Sequence, residues 1–329
     1  MKAILLKAPG GPEQLYLGTC RRPVPKKHEV LVRVEATALN RADILQRMGK
    51  YPPPKGASEI LGLEVAGVVE RVGKAVTRWK PADRVFGLVA GGGYAEYAVL
   101  HEDMAMPIPD KLSFEEAAAL PEAFLTAFQA LYWLGKMEPG ERVLIHAGAS
   151  GVGTAAIQIV RAAGAHAYVT ASASKHALCR ELGAELTINY HEEDFVEAVR
   201  KKTRGRGVDL ILDFIGAPYW ERNLNALARD GRIVLLAMMG GTRLEAFDLR
   251  PFFRKRATVV ASTLRDRDLK YKIRLTREVA SLLLYMLEEG RFRPVIDTVY
   301  NWVNVADAHR RMEANRNAGK IVLRVVHDV

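Results

Sequence analysis

Residues 143–153 read Val143-Leu-Ile-His-Ala-Gly-Ala-Ser-Gly-Val-Gly153, and this stretch decides the fold. An apolar strand ends at His146, a tight glycine-rich turn follows, and a helix begins near Val152. Backbone N–H groups at such a helix start, with the positive end of the helix dipole, can face a pyrophosphate. Gly148 is expected to permit the turn, and Gly151 and Gly153 to let the helix approach ligand and strand closely. Against the G-x-G-x-x-G dinucleotide fingerprint, Ser150 stands at the second glycine position, where a small side chain still admits the backbone and its hydroxyl can bond a phosphate. A glycine-rich turn that binds nothing is the alternative, and the agreement of strand, turn and helix argues against it.

Outward from this turn, the chain between about 120 and 262 alternates apolar strands with helices. The expected strands are 142–146, 166–170, 186–188, 208–213, 231–237 and 257–262; the expected helices are 152–163, 174–182, 195–203 and 220–227. Strands apolar on both faces and joined by crossover helices predict an α/β fold with a doubly wound parallel sheet. The first hundred residues differ, with short strands expected at 30–38, 65–72, 84–89 and 94–99 between turn residues. Ser113 and Glu116 have capping-box spacing at the change of character. A helix over 275–289 and strands at 295–300 and 321–326 close the chain. The dinucleotide-type domain, 121–262, is thus expected to be inserted between two parts of a β-rich domain, 1–120 and 263–329.

The chain has 329 residues, 49% hydrophobic and 26% charged, which excludes disordered, collagen-like and coiled-coil classes. No apolar run approaches the roughly 18 residues of a membrane span. The apolar start is broken by Lys7 and Pro9-Gly10-Gly11, so no signal peptide is read and a cytoplasmic protein is expected. Cys20 and Cys179 are the only cysteines, too few for a disulfide framework or a four-cysteine zinc lobe. A net charge of +10 suits an anionic partner, but no block of like charge concentrates it, which argues against a nucleic-acid platform.

The stretch after the second parallel strand points to the ligand. Dinucleotide binders that take NAD carry an Asp or Glu about 20 residues beyond the glycine turn, on the ribose 2′-hydroxyl. Here the chain reads Val169-Thr-Ala-Ser-Ala-Ser-Lys175, with no carboxylate to repel a 2′-phosphate and with Ser172, Ser174 and Lys175 to bind one. NADPH is the expected cofactor; the alternative is that Lys175 is an ordinary exposed residue of a first helical turn.

These features resemble the zinc-free quinone oxidoreductases of the medium-chain dehydrogenase/reductase superfamily, most closely the tumour-suppressor-inducible quinone oxidoreductase subfamily. The match includes Ala38-Leu-Asn-Arg-Ala-Asp43, Ile60-Leu-Gly-Leu-Glu64, Leu125-Thr-Ala-Phe-Gln129, the glycine turn, Leu210-Ile-Leu-Asp213 and Gly319-Lys-Ile-Val-Leu323. The resemblance implies a Rossmann-type NADPH domain inserted in a GroES-like catalytic domain, and a homodimer pairing edge strands near Thr258 to Ala261. It places Asn40 and Thr126 near the nicotinamide, and Gly148, Ala149, Ser150, Gly151, Val152 and Gly153 around the pyrophosphate. Ser172, Ser174, Lys175 and Tyr190 fall around the 2′-phosphate, and Phe214, Met238 and Gly240 at the nicotinamide edge. Backbone groups of Thr263, Leu264 and Arg265 would meet the carboxamide, and Lys320 matches a late basic contact. Zinc enzymes of the superfamily carry Cys and His where this chain has Asn40 and Leu63, so the resemblance implies no metal.

Tyr51, before Pro52-Pro-Pro54, matches a tyrosine of the quinone site; a phenol there is a proton or hydrogen-bond donor, or else a packing residue. Tyr51 and Asn40 are the candidate catalytic pair. Asp43 reads better as a helix cap than as an acid, His146 as a packed histidine, and residues 250–256 as an interface or solvated surface. The activity implied is hydride transfer from NADPH to a quinone in an interdomain cleft. The alternatives are reduction of α,β-unsaturated carbonyls and an NADPH-responsive RNA-binding protein with little catalysis.

Overall fold

The computed structural model describes residues 1–327 and divides into two compact units: Met1–Leu125 with the chain from Arg265 onward, and Thr126–Leu264. The first unit opens on an antiparallel hairpin of β1 (Lys2–Leu6) and β2 (Leu15–Thr19). There follow β3 (Glu29–Ala38), α1 (Arg41–Arg47), β4 (Glu64–Val72), β5 (Arg84–Leu88), β6 (Tyr97–His101), β7 (Ala105–Pro107) and α2 (Phe114–Ala118). Helix α3 (Pro121–Phe128) carries the chain into the second unit. That unit runs β8 (Arg142–Ile145), α4 (Gly151–Ala162), β9 (His166–Ala171), α5 (His176–Leu182), β10 (Ala184–Asn189) and α6 (Phe195–Lys202). It ends with β11 (Val208–Asp213), α7 (Trp220–Ala226), β12 (Leu227–Leu235), α8 (Leu249–Lys255) and β13 (Thr258–Ala261). The first unit then resumes with α9 (Leu269–Glu288), β14 (Ile296–Asn301), α10 (Val305–Glu313) and β15 (Lys320–Arg324).

In the second unit six parallel strands lie in the order β10-β9-β8-β11-β12-β13. Strand β11 is buried at every position, as a run apolar enough to be covered on both faces must be. Leu144, Tyr168, Ile188, Phe195, Leu224 and Ile233 form part of its core. The order reverses between β8 and β11, so a crevice for a ligand is expected at their carboxyl ends, where the glycine turn lies. The first unit holds a seven-stranded sheet, β14-β15-β3-β4-β5-β7 with β6 also on β3. Its late strand β15 pairs antiparallel with β3, so the two chain segments share one sheet.

The architecture is the α/β one expected from the sequence: a Rossmann-like parallel sheet and a β-rich GroES-like unit. Local departures have physical causes. The strand expected at 94–99 begins at Tyr97, because Tyr94 and Ala95 turn away to pair with β1. Helix α9 starts six residues earlier than 275, at Leu269, where the Asp268 carboxylate caps the Tyr271 N–H at 2.7 Å. The basic stretch 250–256 is largely helix α8, capped by Asp248. The hairpin β1-β2 and helix α10 have no counterpart among the expected elements.

Candidate functional site

The second unit gathers its candidate residues at one edge of the parallel sheet, apart from Thr126, which lies on α3. Gly148 to Gly153 follow β8; Ser172, Ser174 and Lys175 follow β9; Tyr190 follows β10. Phe214 follows β11, Met238 and Gly240 follow β12, and Thr263 and Leu264 follow β13. Every one of these stands just beyond the carboxyl end of a strand, the side where such sheets bind ligands.

The glycine turn works differently from the expectation. The left-handed residue is Ala147, at φ 51°, and not Gly148. Gly148 is required for space: a Cβ there would stand 2.5 Å from Cβ of Val169 on β9. At Gly153 a Cβ would come within 2.5 Å of the Ala147 carbonyl oxygen, so the helix start lies directly on the turn. The Ser150 hydroxyl caps α4, accepting from Gly153 N–H at 3.0 Å and keeping its own hydrogen to donate.

Beneath the turn lies a buried polar chain that the sequence had not disclosed. Asn223 donates through Nδ2 to Asp213 Oδ2 at 3.1 Å, so its Oδ1 faces His146 Nε2 at 2.7 Å. That oxygen accepts only, so His146 carries its hydrogen on Nε2 and its Nδ1 accepts from the Thr170 hydroxyl at 3.0 Å. Burial pushes the imidazole down to about 4, which keeps it neutral. His146 is thus the packed histidine that the sequence suggests. Asp213 Oδ1 accepts the Ile215 N–H at 2.7 Å and the Gly216 N–H at 3.3 Å. Burial raises the Asp213 carboxyl to about 6 against these hydrogen bonds. The chain therefore ties the ends of β8, β9 and β11 together under the ligand edge.

In the first unit Asn40 and Asp43 share the start of α1. Asp43 is a cap: its Oδ2 accepts the Asn40 N–H at 2.8 Å and its Oδ1 the Gly62 N–H at 3.0 Å. Complete burial raises it to about 6. Tyr94 Oη stands 3.3 Å from Asp43 and 3.3 Å from His309 Nε2, and Arg47 Nη1 lies 3.2 Å from His309 Nδ1. Arginine can only donate, so Nδ1 accepts, Nε2–H donates to the tyrosine oxygen, and the phenol donates to Asp43. Arg47 also pairs with Glu313.

Tyr51 lies half-buried with the Arg265 guanidinium 5.4 Å from its ring centre. Burial raises the phenol and Arg265 partly offsets that rise. Arg265 itself donates to the Ala90 carbonyl at 2.9 Å and to Gln46 Oε1 at 2.7 Å. A cavity of about 190 Å³ in this unit is lined by Leu63, Leu88, Leu100, Met104, Arg265 and Lys272 among others.

The zinc positions of related enzymes do not fit a metal here. Leu63 is an apolar wall residue, and the Glu64 carboxylate lies 2.7 Å from the Lys320 ammonium, which would repel a second cation. Lys320 also donates to Asn40 Oδ1 at 2.6 Å and to the Leu39 carbonyl at 2.7 Å. Nothing local in the sequence signals this grouping; the resemblance implies a cofactor contact for Lys320 instead.

Residues 26–110 match the family model described as alcohol dehydrogenase GroES-like domain, and residues 151–279 that described as zinc-binding dehydrogenase. A quinone oxidoreductase of Lama guanicoe is 32% identical over 98% of this chain and 97% of its own length. Among solved structures, a quinone oxidoreductase of Pseudomonas syringae is 34% identical with a TM-score of 0.87, covering 98% of this chain and 99% of that one. A mycobacterial protein solved in complex with NADPH is 28% identical with a TM-score of 0.87, over 98% and 99% of the two chains. The chain belongs to the medium-chain dehydrogenase/reductase superfamily, in its quinone-oxidoreductase-like branch. It is an oxidoreductase of that family, and no helix among its described residues is long and apolar enough to cross a membrane.

Proposed function

We propose that this protein is a cytoplasmic, NADPH-dependent, zinc-independent quinone oxidoreductase. The observation that carries the cofactor choice is the carboxyl end of β9, where Ser172, Ser174 and half-buried Lys175 stand and no carboxylate does. A 2′-phosphate meets a cation and hydroxyls there instead of a like charge. The NADPH of the mycobacterial relative and the names of the quinone oxidoreductase relatives support the same reading. Gly148 and Gly153, where any side chain would collide with β9 or the turn, leave the backbone room for a pyrophosphate at the head of α4.

The bound nicotinamide supplies the hydride. The chain's own part is to align donor and acceptor, exclude water and offer hydrogen bonds to the oxygen on which charge develops. Asn40 and Tyr51 serve as those donors in this reading, and the pairing of Glu64 with Lys320 supports polarisation without a metal. The edge strand β13 and exposed Phe253 of α8 support a homodimer joined through the second unit.

The test is oxidation of NADPH and NADH by the purified protein against ortho-quinones, para-quinones and enones, with and without chelator. NADPH preferred over NADH, turnover of quinones above enones and indifference to chelator are expected. Lys175→Glu should reduce the NADPH-to-NADH preference roughly tenfold or more, the worth of one charge-assisted hydrogen bond. Preference for NADH in the wild type overturns the cofactor assignment, and inert quinones beside fast enones overturn the acceptor.

A further inference from the structure

The Lys320 side chain, 4% exposed, has an ammonium group within 2.7 Å of three oxygens: the Leu39 carbonyl, Asn40 Oδ1 and Glu64 Oε1. An ammonium has three donors and no acceptor, so these contacts use it completely and leave nothing for a phosphate. Glu64, with no exposed surface, accepts at Oε1 also from Asn40 Nδ2 at 2.8 Å and at Oε2 from the Glu122 N–H at 2.9 Å. The two ends of an asparagine amide are alike in size, yet lysine only donates and a carboxylate only accepts. The Asn40 oxygen must therefore face Lys320 and its nitrogen Glu64, since a flip would set donor against donor and acceptor against acceptor. The second amide hydrogen is held far more loosely, by the Ala38 carbonyl at 3.4 Å. The backbone of Asn40 is separately fixed by the Asp43 cap.

We infer that Lys320 is a positioning residue: paired with Glu64, its buried ammonium locks the Asn40 amide in one orientation and directs the loosely held hydrogen to a ligand. The inference rests on the proposed role of Asn40 in hydride transfer, and it gives Lys320 a part distinct from direct contact with the cofactor. Three charged or polar groups act as one unit, so removing the cation frees the amide to flip and costs alignment.

The experiment compares wild type, Lys320→Met, the charge-balanced Lys320→Met/Glu64→Gln, Asn40→Ala and the triple variant. Lys320→Met alone strands a buried carboxylate and is expected to lose both stability and turnover. The charge-balanced double variant should regain thermal stability, while kcat stays roughly tenfold down and the acceptor KM holds within about twofold. In the Asn40→Ala background the double change should have no further effect on kcat. Recovery of kcat together with stability, or effects that add to Asn40→Ala, would overturn the inference. A readout without turnover is the Asn40 side-chain amide resonance in the free protein, assigned by its loss in Asn40→Ala. It should shift and exchange faster with water in the double variant, and an unchanged resonance sinks the idea. A wild type that reduces no acceptor defeats the proposed function, and the resonance then decides the Lys320 inference alone.

Discussion

His309 in the first unit and His146 in the second are both buried without exposed surface, and burial pushes their imidazoles to about 3 and about 4. Each connects through one neutral group to an aspartate that burial raises to about 6: His309 through Tyr94 to Asp43, His146 through Asn223 to Asp213. The far ends differ. The first chain runs on to the buried Arg47 guanidinium and its partner Glu313, whereas the second stops at the Thr170 hydroxyl. One network is anchored by a buried charge and the other by neutral donors. The same imidazole–aspartate arrangement is therefore expected to differ in how much structure fails when one member is removed.

The largest effect is expected at the charged anchor. Arg47→Met removes the donor to Gly10 and His309 and leaves Glu313 without its partner. A loss of about 3 kcal/mol or more is expected by denaturant unfolding, with hydrogen exchange in the first unit rising first. A loss below about 1 kcal/mol would erase the distinction between the networks. Next comes the pH dependence. A histidine held below its usual value contributes stability above about pH 6.5 that is lost as the pH falls towards its folded value. An aspartate raised to about 6 does the opposite: its contribution is present below about pH 4 and lost as the pH rises through 6. The two slopes oppose each other between about pH 4 and 6. His309→Gln removes one of them, so relative to wild type it should gain about 3 kcal/mol on going from pH 6.5 to pH 4. A pH-independent difference in unfolding free energy would show that His309 is not held neutral. Asn223→Leu, in the neutral network, should cost only about 1–2 kcal/mol, but weaken dinucleotide binding measured by fluorescence titration through loosened ends of β8 and β11. Unchanged binding would separate that network from the ligand edge.

The second unit was legible because each of its signals is local. The apolar strand, the glycine turn and the helix of residues 143–153 lie within a few turns of chain, and the alternation that follows repeats that unit. What stayed hidden depends on partners far apart in sequence. Lys320 and Asn40 are 280 residues apart, and no spacing rule links a lysine near one end of the chain to an asparagine near the other. The left-handed Ala147 was equally unreadable, because glycine is the residue expected at such a torsion and Gly148 stands beside it. Asp43 as a cap was readable, though from its spacing to Gln46, whereas the box that forms has Asn40 as its N-cap and Asp43 three residues on. Its link to Tyr94 and His309 was not.

The pairing of β15 with β3 sets an order on biosynthesis. The second unit is a continuous stretch and can fold once Leu264 has left the ribosome, but in the first unit the end of β3 from Ala36 to Ala38, beyond the residues that β6 covers, waits for β15. During that interval the nascent chain presents a partly unpaired strand end, the kind of edge that chaperones cover. The strand that ends the wait is also the one that delivers Lys320, so Asn40 acquires its cation only once β15 has been made.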